Sequence, residues 1–429
     1  MTALDAVTAD PVGALQGCTL VEVDLDEAGQ YAGRLLARLG ARVIKFEGYD
    51  GDRTRRLPAF VRDRDGRRRS LPFEYFNTGK ESIALDLDDV FAMDLLVRLV
   101  DATARRGRGD VVVLVSPRMA ARIPEAVRAP VLVAGAYGGS GPQSHLPTTP
   151  LTRFHAGGNG YLVPGDDADR FRPTQPGTFA AECFAGNGIA VAVLGMILMR
   201  HNDPGLAAVP QVRADWSQMA YSINLEKMFL ARTSHEGVEL TRATHRYPFG
   251  GAMRCKDGYV SMLINEMHQW HALCGVIGKP EWAHDKAYAG GGGRWAMQDT
   301  IRPVLDAWCG ARTVDEVLEA TRAVGVPMGR IRTIGEVLTE PSFRQRGFLG
   351  EADTPYGKVA DIGHPYGKVD PMWRPAGRPF APLLGEHSGA LLAELGHTAE
   401  DITLFENLGL VRCEGAPSAV AGVAAGVAQ

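Results

Sequence analysis

Three ionisable residues lie in sequence surroundings where their side chains could take part in a reaction. Glu182 opens a long apolar stretch of helical character within GTFAAECFAG, and free N–H groups at a helix start can stabilise a carboxylate or an oxyanion. His155 in RFHAGGNGYLVPG and Glu266 in INEMHQW could exchange protons near neutral pH. Each also has an ordinary structural interpretation, as a first-turn acid, a loop histidine and a loop acid, and the pattern alone leaves both open.

A second charged feature is an arginine-rich stretch. Eight arginines fall between Arg53 and Arg69. They could form a solvated loop, or a patch facing a phosphate or a second subunit. Asp63 and Asp65 dilute the positive charge, which favours the solvated loop.

The elements that must position these residues begin with a β-α-β unit. Strands are predicted at Cys18–Val23 and Arg42–Glu47, around a helix at Ala28–Leu39 that stops at Gly40. A parallel sheet should follow, because consecutive parallel strands need such a crossover. No GxGxxG fingerprint accompanies the unit, so nicotinamide or flavin binding is poorly supported.

Further elements extend this sheet and build a second half of the chain. Gly186, Gly188 and Gly195 interrupt the helix predicted at Glu182–Arg200, which indicates that something approaches it closely. A loop rich in Gly, Ser and Pro at 135–150 falls at a strand end, where α/β proteins bind ligands. Strands are predicted at 82–87, 110–115 and 130–134, helices at 90–100, 215–232, 269–277, 297–309, 314–324, 388–396 and 400–408, and loops at 290–293 and 326–334.

Composition limits the class of protein. The chain has 429 residues, 45% hydrophobic and 22% charged, with a net charge of −4. These values are typical of a soluble globular protein of two domains or slightly more, with no reason to bind nucleic acid. We expect no membrane span and no secretory signal. Six scattered cysteines without metal-ligand spacing favour a reducing cytoplasm and no metal site.

Eight motifs, in order between residues 17 and 411, resemble one family. They are AGQYAGRLLARLGARVIKFE, GDRTR, FNTGKESIALDL, GGSGP, RCKDGYVSM, QWHALCGVIGKPEW, GVPMGRIRTIGEVLTEP and PLLGEHSGALLAELG. Together they are similar to the class III CoA-transferases of the CaiB/BaiF type, which include formyl-CoA:oxalate and carnitine CoA-transferases and α-methylacyl-CoA racemases.

The resemblance implies a fold. It is an α/β fold with a Rossmann-like large domain formed by both chain ends, a smaller inserted α+β domain, and two chains interlocked as a ring dimer. The implied segments are a flexible tail at 1–14, the large domain at 15–224, the small domain at 225–335, a return to the large domain at 336–414, and a second tail at 415–429.

The resemblance also implies a reaction. Glu182 occupies the place of the family's catalytic carboxylate, which is usually Asp. The implied activity is an acyl-CoA:carboxylate CoA-transferase working through a covalent glutamyl-CoA thioester. One alternative is an acyl-CoA α-racemase or isomerase that transfers protons with His155, Glu182 and Glu266; another is a catalytically silent acyl-CoA-binding homologue. The implied partners are an acyl-CoA, a carboxylic acid acceptor and a second copy of the chain, without metal, nicotinamide, flavin, nucleic acid or membrane.

Contacts to CoA follow from the same resemblance. The turn containing Asn77, Gly79 and Lys80 matches the family's N-x-G/N-K pattern, and Lys80 could meet a phosphate as a point charge. Its alternative interpretation is a solvated lysine. Lys45 on the second strand is a weaker candidate for the same role. Glu27 is also counted among the implied cofactor-binding residues. It falls where the oxalate enzymes have Gln, one of several departures that count against an oxalate substrate.

One CoA-contacting position departs from the family. Ser116, in LVSPR, stands where many members have an arginine that meets CoA, and Arg118 lies two residues further on.

Overall fold

The chain divides into two compact units in a computed structural model. The first comprises Met1–Gly160, Pro173–Met228 and Ser342–Gln429, and the second Tyr161–Arg172 and Phe229–Pro341. The residues that the structure describes are 13–106, 110–156, 175, 177, 179–202, 213–217, 252–264, 266–362 and 378–414. The two predicted tails lie almost wholly outside these ranges.

The described strands fall in both units. In chain order they are β1 (Thr19–Val23), β2 (Arg42–Gly48), β3 (Phe60–Arg62), β4 (Arg68–Ser70), β5 (Glu81–Leu85), β6 (Val111–Val115), β7 (Val131–Gly135), β8 (Arg213–Ser217), β9 (Met253–Arg254), β10 (Tyr259–Met262), β11 (Met328–Ile331), β12 (Leu349–Thr354), β13 (Gly357–Ile362) and β14 (Val411–Arg412).

The described helices also fall in both units. They are α1 (Glu27–Arg38), α2 (Leu71–Asn77), α3 (Val90–Arg106), α4 (Pro117–Ala120), α5 (Pro150–Ala156), α6 (Ala180–Asn202), α7 (Met267–Val276), α8 (Gly290–Ala296), α9 (Gln298–Gly310), α10 (Val314–Arg322), α11 (Ile334–Thr339), α12 (Pro341–Gln345), α13 (Ser388–Glu394) and α14 (Ala399–Asn407). Short 3₁₀ turns lie at Arg53–Arg56, Pro280–Ala283 and Lys286–Tyr288.

A seven-stranded sheet organises the first unit. Its spatial order is β14-β5-β2-β1-β6-β7-β8, and every neighbouring pair is parallel except β14 with β5. If the six parallel strands are counted along the chain, the order is 3-2-1-4-5-6, that of a doubly wound sheet. The predicted parallel α/β sheet is confirmed, and β14 adds a strand from the other end of the chain.

Alternating side chains of the sheet feed a core on each face. Val21 and Ile44 belong to the core shared with α3 and α13, whereas Leu20 and Val43 belong to the core shared with α1 and α6. β1 is buried along its whole length, as expected for a parallel strand covered on both faces.

The second unit has its own core. The antiparallel strands β9, β10 and β11 pack with α7, α9 and α10 around the fully buried Trp270. Trp270 lies parallel to Trp282, with ring centroids 6.3 Å apart, and its indole N–H donates to the Trp282 carbonyl.

Three local predictions are wrong. The four glycines at 290–293 open α8 instead of forming a loop, and Arg294 of that helix is buried over the Trp270 ring. The helix predicted to start at Asp215 is a strand over its described residues, because β8 pairs in parallel with β7. Residues 328–331, predicted as loop, pair with β10. In the two strand cases pairing with a neighbouring strand overrides the local preference.

Glycine lets α1 and α6 cross at close range. A Cβ added at Gly186 would lie 2.6 Å from the Ala28 carbonyl oxygen and 2.9 Å from the Tyr31 ring. The predicted close approach is therefore confirmed at Gly186. At Gly195 an added Cβ would meet nothing within 4 Å in this chain.

Among the helices that the structure describes, one passes a simple test for a membrane span. By length and composition alone α6 could cross a bilayer, and 44% of its most apolar window is buried inside the protein. A core helix meets the same criteria, and α6 packs on α1. The cytoplasmic location stays a prediction.

The crossing predicts opposite effects for two glycine substitutions in α6. Gly186→Ala should lower the free energy of unfolding by about 1–3 kcal/mol, because the new methyl group meets backbone. Gly195→Ala should raise it by about 0.5–1 kcal/mol through helix propensity. Urea unfolding of both variants checks this, and equal shifts would contradict a close crossing at Gly186.

Candidate active site

A cleft of about 600 Å³ opens beyond the carboxyl ends of β1, β6 and β7. β1 and β6 are neighbours on either side of the point where the strand order reverses, which is where doubly wound sheets bind ligands. The polar residues that line the cleft include Asp24, Asp26, Arg53, Ser116, Arg118 and Thr148.

Asp24 shapes the floor of this cleft. Its φ of 55° is in the left-handed region, which is uncommon for a residue other than glycine. Its carboxylate accepts from the Ser116 hydroxyl and from Arg118 Nε, both at 2.9 Å. Such local strain is typical of functional sites.

Glu182 lies in the first turn of α6 and is only 3% exposed. Its carboxylate oxygen Oε1 accepts a hydrogen bond of 3.1 Å from Arg153 Nη2. The crossing at Gly186, one turn further along α6, brings this first turn beside the start of α1.

Arg153 on α5 connects three carboxylates. It is 3% exposed, and Nη2 also donates to Glu27 at 2.8 Å, while Nη1 lies 3.7 Å from Asp26. Although burial opposes its charge, the carboxylates of Asp26, Glu27 and Glu182 hold the pKa of Arg153 above its usual value. Nη1 also donates to Thr148 in the cleft wall. Arg153 is therefore a permanent cation between the first turns of α1 and α6.

Glu27 completes the buried network. It is 1% exposed and begins α1, where Asp26 accepts from the amides of Ala28 and Gly29 as the helix N-cap. Arg53 Nη2 donates to both oxygens of Glu27, at 2.6 and 2.7 Å. Since the Arg53 side chain is 45% exposed and lines the cleft, the network reaches the cleft surface. The structure thus brings the predicted residues Glu27 and Glu182 together.

His155 also lies on α5 but is not the residue presented to Glu182. Residues two apart on a helix project to different sides, and α5 directs Arg153 to Glu182. The Nε2 atom of His155 is buried without a hydrogen-bond partner among the described residues, and its ring packs edge-on against Phe154.

Glu266 belongs to the second unit. It is exposed and forms a capping box at the start of α7 with Gln269. Within the described structure it has the role of a helix cap.

Lys80 is an interior residue. It is 1% exposed, and its ammonium donates to both Glu22 oxygens at 2.8 and 2.9 Å, to the Gln30 carbonyl and to Asn77 Oδ1. Burial lowers the pKa of Lys80 to about 8, against the opposing attraction of Glu22. We expected either a phosphate contact or a solvated lysine at this position. The structure instead shows Lys80 in an interior ion pair with Glu22.

The rest of the predicted turn supports that ion pair. Asn77 is fully buried and donates to Gln30 Oε1 at 2.8 Å and to the Phe73 carbonyl. Gly79 adopts a φ of 79° and donates its amide to the Phe380 carbonyl. These contacts fix the chain direction before β5 and leave the turn inside the protein.

Lys45 is likewise an interior residue. It is 1% exposed and donates to Asp52 at 2.7 Å. Burial alone would lower its pKa, but the carboxylates of Asp52, Glu22 and Glu47 raise it above the usual value. Phosphate contact by Lys45 is replaced by this pairing.

The arginine-rich segment is only partly a solvated loop. Arg55 donates to both oxygens of the buried Glu47, and Arg69 is itself buried against Glu74. With Arg53, three of the eight arginines therefore neutralise interior carboxylates.

Sequence reasoning missed Arg153, the residue that joins the site. It lies two positions before His155 in a motif that drew attention only to the histidine. The signal that could have found it is chemical: two interior acids opening neighbouring helices need a buried cation. Within the described ranges, no group of three or more His, Cys, Asp or Glu side chains is arranged to hold a metal ion.

Comparison with known proteins places this arrangement in context. Residues 15–388 match the sequence model of a family described as CoA-transferase family III. The chain is 26% identical to the succinyl-CoA:mesaconate CoA-transferase of Haloarcula marismortui, over 90% of this chain and 97% of that protein. It is also 26% identical to the acetyl-CoA:oxalate CoA-transferase of Acetobacter aceti, over 91% and 98%.

Solved structures show the same fold. A CaiB/BaiF family protein from Brucella suis superposes with a TM-score of 0.70 at 24% identity, covering 90% of this chain and all of that one.

The Lys80 environment predicts a stability effect. Lys80→Met should lower the free energy of unfolding by about 3–5 kcal/mol, because Glu22 is left as an unpaired buried charge. The double variant Glu22→Gln/Lys80→Met should recover most of that loss. Urea unfolding measures both, with calorimetric titration of CoA alongside. Normal stability combined with weakened CoA binding would return Lys80 to a ligand-binding role.

Proposed function

Since this chain belongs to CoA-transferase family III, we propose that it is an acyl-CoA:carboxylate CoA-transferase working through a covalent thioester between Glu182 and CoA. The observation that carries the proposal is the state of Glu182. It is a buried carboxylate in a helix first turn, ion-paired at 3.1 Å to a guanidinium that also contacts the cleft wall.

The proposed reaction balances over four displacements. A Glu182 oxygen attacks the donor thioester carbonyl, the C–S bond breaks, and CoA leaves as thiolate from a mixed anhydride. The thiolate then attacks the Glu182 carbonyl carbon and releases the donor's acid. The acceptor carboxylate attacks the resulting glutamyl thioester, expelling thiolate again. Finally the thiolate takes the acceptor's acyl group and regenerates the carboxylate. Each step is easier than direct exchange.

We propose that CoA binds in the cleft at the sheet edge. It adjoins the Glu182 network through Asp26, Arg53 and Thr148. Arg118, whose side chain is 54% exposed there, is the proposed phosphate contact in place of the interior Lys80. Because guanidinium groups pair well with phosphate, Arg118 fits that role.

The α-racemase alternative requires two groups facing one substrate carbon. α5 offers Arg153 to Glu182, and an arginine is a poor proton shuttle because its guanidinium stays protonated. The catalytically silent alternative predicts no covalent adduct, so one experiment separates it from the transferase.

The central prediction concerns the adduct. Mixing the protein with succinyl-CoA, acetyl-CoA or formyl-CoA should give a hydroxylamine-sensitive CoA adduct on Glu182, seen by intact-mass and peptide mass spectrometry. Glu182→Gln should abolish the adduct and lower CoA exchange by several powers of ten, since an amide cannot attack the thioester.

Two further variants sharpen this test. Glu182→Asp withdraws the carboxylate by about one methylene. Its rate of CoA exchange should fall about 10²-fold if the site is built for the longer side chain. Glu400→Gln, a first-turn glutamate of α14, is the matched control and should react normally. Full exchange by Glu182→Gln would overturn the covalent mechanism, and α-proton exchange without an adduct would indicate the racemase.

We also propose that the chain is an interlocked homodimer. Phe184, Val191 and Leu198 are 65%, 66% and 58% exposed, and their seven-residue spacing places them on one face of α6. An apolar stripe of this kind on the surface of α6 suits burial by a second copy.

The dimer predicts a mass of about twice 46.1 kDa by sedimentation at low micromolar concentration. Leu198→Glu should shift the protein toward monomer or aggregate, because it places a charge in the proposed interface. Leu404→Glu, at an exposed leucine of α14, should leave the mass unchanged. A folded wild-type monomer would refute the proposal.

A further inference from the structure

Arg153 has one unused hydrogen-bonding group beside Glu182. Its Nε is buried and has no hydrogen-bond partner among the described residues. Nε and Nη2 form one edge of the guanidinium, and Nη2 is the atom bonded to Glu182 and Glu27. Of the two donors on this edge, Nη2 is therefore used and Nε is not.

Two other arginines of this chain show which group binds when both Nε and Nη2 donate hydrogen bonds. Arg55 donates through Nε and Nη2 to the two oxygens of Glu47, at 2.8 and 2.7 Å. Arg42 does the same with Glu81, at 2.9 Å for both bonds. In each case the occupant is a carboxylate, whose two oxygens match the spacing of the two donors.

The proposed chemistry would also change what Arg153 Nη2 contacts. When Glu182 becomes a thioester, its carboxylate charge is lost and the bond from Nη2 weakens. Arg153 stays neutralised by Glu27, which takes no part in the covalent step. At that stage a new carboxylate must approach the Glu182 carbonyl carbon, within reach of a guanidinium that lay 3.1 Å from a Glu182 oxygen.

We infer that Arg153 binds the acceptor carboxylate, receiving it on the Nε–Nη2 edge after Glu182 has become the CoA thioester. The inference rests on the proposed function and adds the residue that selects a carboxylate acceptor. In each cycle Arg153 thus releases the Glu182 carboxylate and binds a substrate carboxylate. Its hydrogen bond to Glu27 keeps Arg153 in place throughout.

Single-turnover discharge tests this assignment. The protein is loaded with succinyl-CoA, freed of excess donor, and mixed with increasing succinate, which as the donor's own acid must act as acceptor in reverse. Arg153→Lys keeps the positive charge but lacks the fork. We expect loading to persist, and the succinate concentration for half-maximal discharge to rise about 10- to 100-fold, the range for losing a charge-assisted hydrogen bond.

Arg69→Lys is the matched control. It removes another buried fork, in which Nε donates to Glu74 and Nη2 to the Ala381 carbonyl, both at 2.7 Å. It should discharge with the wild-type dependence on succinate. If Arg153→Lys loads and then discharges with the wild-type dependence, the inference is wrong while the proposed function stands. A wild type that never loads would overturn the proposed function and this inference together.

An equilibrium measurement covers the case in which Arg153→Lys does not load. Glu182→Gln imitates the uncharged side chain of the thioester, so calorimetry should show it binding succinate about tenfold more tightly than the unloaded wild type. Adding Arg153→Lys to Glu182→Gln should remove that gain. Equal succinate affinity of Glu182→Gln and wild type would overturn the inference.

Discussion

The close crossing of α1 and α6 is the constraint on which the site depends. A side chain at Gly186 would collide with the backbone of Ala28, so the two helices approach as closely as their main chains allow. Their first turns then lie side by side, and Glu27 and Glu182 come within reach of one guanidinium. Two buried carboxylates so near each other would repel strongly, and Arg153 makes the arrangement stable.

A second glycine, Gly33, permits another close contact, between α1 and the sheet. An added Cβ at Gly33 would fall 1.6 Å from a Glu22 oxygen and 3.0 Å from the Lys80 ammonium. The absence of that side chain lets an ion pair lie between the helix and the sheet. Because Lys80 also bonds the Gln30 carbonyl, the pair anchors the helix that carries Glu27. Charged residues that look like ligand contacts along the chain therefore act as supports.

The arginines of this network differ in how fully their hydrogen-bond donors are used. Arg55 and Arg69 saturate interior carboxylates with both donors of one edge or with carbonyl oxygens. Arg153 differs from these two because it is shared among several acids and retains a buried donor without a partner among the described residues. Arg34 and Arg38 also retain such an Nε, but Arg153 is the one bonded to Glu182. Buried polar atoms are nearly always satisfied, so an exception beside a proposed nucleophile is the place where substrate chemistry is expected.

The sequence by itself determined the family, the β-α-β start, the parallel sheet and Glu182 at a helix start, since each is encoded in short motifs or in regular spacing. Tertiary structure decided the rest, because burial and pairing join distant segments. Lys80 occupies a turn that reads as a phosphate contact, yet Glu22, 58 positions away, takes its charge into the interior. Arg153 acquires its role only where α5 meets the starts of α1 and α6, which lie 126 and 29 positions from it along the chain.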